Sequence, residues 1–116
     1  MRRVRANISE VPMSGEWQPV AERADVPEGD VIAVTVGDQE IALYGVDGEV
    51  YATANICTHG HARLCEGFLE GNEIECPLHQ GRFDVTNGKP ILEPVTEAIR
   101  TFPVKIEDGQ VLLLIE

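Results

Sequence analysis

Two short clusters carry the side chains best suited to grip a metal: Cys57-Thr58-His59 and Cys76-Pro77-Leu78-His79, with sixteen residues (60–75) between His59 and Cys76. All three cysteines and all three histidines of the chain fall between residues 57 and 81. Each cluster pairs one thiolate with one imidazole. Gly60, Gly67, Gly71 and Gly81, together with Pro77, suit tight backbone turns around a compact object. Two sulfurs and two nitrogens would satisfy the tetrahedral preference of zinc. Mixed structural zinc sites, however, more often pair Cys with Cys and His with His. A plant-type iron–sulfur cluster needs four cysteines, and the chain has three.

The pattern C-x-H-x16-C-x2-H, in the boxes CTHGH and CPLHQGRFD, closely resembles the Rieske iron–sulfur motif. In that motif two histidines replace two cysteines on one iron of a [2Fe–2S] centre. The resemblance covers about residues 17–116. It implies an all-β Rieske fold, an antiparallel sandwich or barrel platform with an inserted cluster-binding subdomain of two loops. It also implies that Cys57 and Cys76 hold one iron, and that His59 and His79 hold the other through ring nitrogens. Two thiolates and two neutral imidazoles leave the oxidised centre neutral and the reduced one singly negative. Four thiolates would make both states more negative, so imidazole ligation raises the potential.

High-potential Rieske proteins carry an extra cysteine in each box, joined as a disulfide. Here the second box has Leu78 in that place, and the first continues Gly60-His61-Ala62. The positions that place a Ser and a Tyr hydroxyl near the cluster sulfurs in those proteins are Gly81 and Phe83. Fewer donors and an acidic surface stabilise the reduced cluster less. A potential toward the lower end of the roughly −150 to +300 mV Rieske range is therefore expected.

The stretch EGFLEGNEIECPLHQGRFDVTNGK resembles the small ferredoxins of bacterial aromatic-ring-hydroxylating dioxygenases, those of naphthalene type above all. That resemblance implies a one-electron carrier rather than an enzyme. Its partners would be an NAD(P)H-dependent reductase and a terminal Rieske oxygenase. The oxygenase's mononuclear iron needs two histidines and a carboxylate, and only His61 remains here after the two ligands. Docking would fall on the residues around His79, namely Leu78, Pro77 and Gln80, with His61. Leu78 could equally pack over the cluster. Two other readings stay open, a small Rieske-like subunit of an assimilatory nitrite reductase and a structural zinc-binding module.

Cys65 lies outside the motif and reads as a small, partly buried apolar side chain, with a redox-sensitive thiol or a zinc ligand as alternatives. Pro90 and Pro94 resemble the proline-bearing loop that covers the cluster in related proteins. Trp17 and Phe102 read as core.

The elements that must position these residues are short and β-rich. DVIAVTV (30–36), EIALYGV (40–46) and EVYATANI (49–56) are separated by Gly37-Asp38 and Asp47-Gly48. Asn87-Gly88, TFPVKIE (101–107), Asp108-Gly109 and VLLLIE follow. Asp-Gly and Asn-Gly between β-branched runs are strong hairpin signals. AERADV (21–26) and EAIR (97–100) could each form one helical turn. Residues 1–15 read as an N-terminal arm, residues 16–116 as one domain, and about 56–84 as its cluster-binding part.

The 116 residues carry a net charge of −11. Three of the nine basic side chains are Arg2, Arg3 and Arg5, which leaves six against twenty acidic ones from residue 6 onward, a net of −14. Such a surface repels phosphate backbones and anionic lipid, so neither nucleic acid nor membrane is expected as a partner. It favours a positively charged partner. The odd cysteine count and the lack of an apolar stretch after MRRVRANISE point to a cytoplasmic protein.

Overall fold

The computed structural model describes residues 16–58, 62–78, 80–93 and 95–115. The expected N-terminal arm, His59, His61, His79 and Pro94 lie outside the described residues. Among the described residues, three antiparallel sheets account for the strands. The first has the order β1 (Glu16–Glu22), β10 (Gln110–Ile115), β9 (Val104–Glu107). The second is a meander of β2 (Val31–Val36), β3 (Gln39–Val46) and β4 (Glu49–Ala54). The third is a small meander of β5 (Phe68–Glu70), β6 (Glu73–Glu75), β7 (Arg82–Asp84) and β8 (Pro90–Leu92). The expected all-β antiparallel platform with an inserted smaller unit is what the chain forms. No helix among the described residues is long and apolar enough to cross a membrane.

The turn dipeptides act as their chemistry requires. Asp47 and Gly48 take φ of 52° and 80°, and Asp108 and Gly109 take 52° and 78°. Both central residues at positive φ is the type I′ geometry that matches strand twist. The carboxylate of Glu28 accepts from the Asp47 and Gly48 amides at 2.7 and 2.9 Å and holds the first of these turns.

Strand β3 is buried on both faces from Ile41 to Val46. Side chains alternate along a strand. Ile41 and Leu43 accordingly join Val50, Ala52, Val111, Leu113 and Phe102 inside the platform. Ala42, Tyr44 and Val46 face the other way, into a second apolar cluster shared with Ile74 and Phe83 of the small sheet and with Val85 just after β7. The Tyr44 hydroxyl lies 2.8 Å from Thr53 Oγ1, which donates to the Ala54 carbonyl at 2.8 Å. Burial pushes the Tyr44 phenol well above its ordinary pKa.

Several expectations need correction. Trp17 is only half-buried, because β1 is an edge strand; the Lys105 ammonium covers its ring at 4.6 Å. Phe102 is core, as expected. Residues 97–100 form no helical turn. Their backbone is committed elsewhere, with the Ile99 amide donating to Gly88 and Arg100 accepting from Ala54. Residues 23–25 do form a 3-10 turn. Strand β9 starts at Val104, after Pro103, which has no amide to give to a ladder.

Gly45 is fixed by packing. A Cβ there would run into the Pro27 carbonyl. Gly45→Ala is expected to cost about 1–3 kcal/mol, read as a lower urea midpoint at an unchanged m-value.

Candidate metal centre

The two ligand-rich segments fold into loops of the same build. In the first, the Cys57 amide donates to the Ala62 carbonyl at 2.9 Å, and an antiparallel bridge joins Ile56 to Arg63. In the second, the Cys76 amide donates to the Gly81 carbonyl at 2.8 Å, and Glu75 pairs with Arg82 across β6 and β7. Each loop thus begins at a cysteine and closes five residues on. Cys57 and Cys76 are 3% and 1% exposed and belong to one contiguous apolar cluster with Leu64, Phe83 and Val95. Gly81 has no room for a side chain, since a Cβ would lie 2.7 Å from Val95 Cγ1 and 3.1 Å from the Leu92 carbonyl.

The first loop is anchored by Asn55, which has no solvent exposure. Its Oδ1 accepts from the Cys65 amide at 2.9 Å, and its Nδ2 donates to Glu40 Oε1 and Cys65 Sγ, both at 3.4 Å. Its main-chain carbonyl accepts from Leu64 at 2.7 Å. Arg63 forks onto Glu40, Nε to Oε1 at 2.8 Å and Nη2 to Oε2 at 3.2 Å. That guanidinium holds the Glu40 carboxyl below the usual carboxylate range. The second loop is anchored by Arg82, whose Nη1 reaches Glu70 and Glu73 and whose Nη2 reaches Glu75. Segment 95–100 touches both loops, the first where Thr58 Oγ1 donates to the Glu97 carbonyl at 3.1 Å, the second at Val95 over Gly81.

Residues 16–103 match the Rieske [2Fe-2S] domain family. The chain belongs to that family. A ferredoxin component of naphthalene 1,2-dioxygenase/salicylate 5-hydroxylase systems from a Ralstonia species is 59% identical over 90% of this chain and 100% of that one. The solved ferredoxin of Sphingomonas yanoikuyae B1 superposes with a TM-score of 0.82 at 41% identity, covering 84% of this chain and 97% of that one. A solved complex of reduced oxygenase and oxidized ferredoxin in carbazole 1,9a-dioxygenase matches at 0.79 and 40%, covering 84% and 91%. The family's [2Fe–2S] cluster is the cofactor of this Rieske domain. The paired loops, each led by a buried soft thiol, fit such a group. With the histidines outside the described residues, no three His, Cys, Asp or Glu side chains converge among those described.

Around this Rieske centre, Leu78 is 56% exposed, Pro77 is half-buried, and Gln80 is exposed with φ of 64°. Leu78 therefore presents much of its side chain at the surface. Cys65 is half-buried, as expected of a small apolar side chain. Pro90 begins β8, and the carbonyl of Leu92 at the end of that strand lies against Gly81 of the second loop. Asn55, Glu40, Arg63 and Arg82 escape a reading of the sequence. The one available signal is an arginine six residues after each loop-opening cysteine.

Asn55→Ala would leave the Cys65 amide without its partner, and is expected to cost about 1–3 kcal/mol in urea unfolding. Cys65→Ala keeps that main-chain bond and should leave both the unfolding midpoint and the visible spectrum close to the parent's.

Proposed function

We propose that this chain is the one-electron carrier of a bacterial aromatic-ring-hydroxylating dioxygenase system. Electrons arrive from an NAD(P)H-dependent reductase and leave to the terminal oxygenase, in the cytoplasm. The observation that carries this reading is the pair of matched loops led by buried Cys57 and Cys76, in a chain 59% identical to such a component along that component's whole length.

When bound, the [2Fe–2S] group supplies one reversible electron and no bond chemistry. In this assignment Cys57 and Cys76 hold one iron, and His59 and His79 hold the other through ring nitrogens. Residues 16–116 act as one domain, with about 56–84 as its cluster-binding part. The apolar cluster behind the cysteines keeps water from the thiolates. Exposed Leu78 and Gln80, with Pro77 and His61, form the tip against which a partner docks. The net charge of −11 steers that tip toward a basic surface.

A low potential also fits these residues. Gly81 and Phe83 bring no hydroxyl to the sulfurs, and the contact with Val95 leaves no space for one at position 81. Phe83 is fully buried among apolar neighbours.

Cys76→Ala and His79→Ala should each abolish the visible iron–sulfur absorption of the purified protein. Stopped-flow mixing of the reduced protein with a naphthalene-type terminal oxygenase tests the role itself. One-electron transfer is expected, slowing as salt rises from 0.05 to 0.5 M because exposed charges are screened over about 10 Å at 0.1 M. Leu78→Glu should slow it at fixed salt. No transfer would overturn the carrier assignment, and a rate flat against salt would remove steering.

A further inference from the structure

The two loops share more than their cysteines. Read from each cysteine to the arginine that follows the closing residue, they are CTHGHAR (57–63) and CPLHQGR (76–82). Both arginines hold the same place in the backbone. Arg63 is the cross-strand partner of Ile56, the residue before Cys57, and Arg82 is the partner of Glu75, the residue before Cys76. An arginine therefore sits across the neck of each loop.

Each guanidinium leaves its loop to find carboxylates on strands. Arg63 forks onto Glu40 of β3 at 2.8 and 3.2 Å. Glu40 also receives the Asn55 side chain at 3.4 Å, and its carbonyl accepts from the Asn55 amide at 3.0 Å. Arg82 spreads over Glu70 of β5 and Glu73 and Glu75 of β6 at 2.8, 3.2 and 2.9 Å. Isolated exposed ion pairs contribute little. These two are forked or networked, and the planar guanidinium suits such contacts where a lysine would not. The first neck needs the help most, because its strands meet in a single bridge rather than a ladder.

We propose that Arg63 and Arg82 are paired positioning residues, each clamping the neck of one cluster loop to strand carboxylates so that Cys57 and Cys76 keep one presentation in both redox states. This rests on the ligand assignment above. A clamp differs from charge tuning in a way that can be read. Removing the cation or its carboxylate loosens the same neck, whereas the two changes alter the local field in opposite directions.

The test is the rate at which the reduced, cluster-loaded protein yields iron to a ferrous chelator, with the EPR line shape recorded alongside. R63Q and E40Q should both speed release by about tenfold or more, the scale seen when groups supporting metal ligands are lost. Both should broaden the EPR lines. R63K, which keeps the charge without the fork, should fall between them and the parent. R82Q should behave as R63Q does; if it fails to fold, the Arg63 and Glu40 series decides alone. Opposite shifts for R63Q and E40Q, or release rates equal to the parent's, would overturn the clamp. A cluster that survives Cys76→Ala would instead overturn the ligand assignment.

Discussion

Burying a strand on both faces removes every position at which a polar side chain could reach water, and β3 is built to that condition. From Ile41 to Val46 it offers only apolar residues, one glycine, and a tyrosine whose hydroxyl is satisfied by Thr53. One face closes the platform core with Ile41 and Leu43. The other, with Ala42, Tyr44 and Val46, is the wall on which the small sheet and both cysteines pack. Glu40, one residue before the buried run, turns outward and meets Arg63. The register of one strand thus sets the platform, the seat of the small sheet, and the anchor of the first loop.

A carrier of single electrons benefits from a site that changes little when its charge changes. Here the loops are short, their cysteine amides are tied back within five residues, and their necks are cross-linked to strands. The surroundings of the thiolates are apolar, which disfavours added negative charge. Leu78 and Gln80 of the second loop nonetheless stand exposed. Burial of the sulfurs and exposure of the tip are what an electron needs in order to be held and then passed on by contact.

Much of this was legible in the sequence because it depends on local chemistry. Asp47-Gly48 and Asp108-Gly109 announce hairpins, since few other pairs tolerate two successive positive φ angles. The cysteine and histidine spacing announces the centre by ligand type alone. What depends on remote partners was not legible. Strand β1 carries Pro19 and a register irregularity before Ala21, so its alternation is broken, and Trp17 ends at an edge under Lys105. The three-residue strands β5 to β8 are too short to show a period, and they exist through pairing with one another. Residues 97–100 look helical in isolation, yet their backbone bonds go to Gly88 and Ala54. Arg63 and Glu40 lie 23 residues apart and give no sign in one dimension that they meet.

The central claim is a mixed histidine and cysteine ligand set in a one-electron carrier. The most direct measurement is the EPR spectrum of the anaerobically purified protein after dithionite reduction. The account predicts a spin-one-half signal whose average g lies clearly below that of all-cysteine [2Fe–2S] ferredoxins. A silent spectrum from a colourless, zinc-containing sample would contradict it.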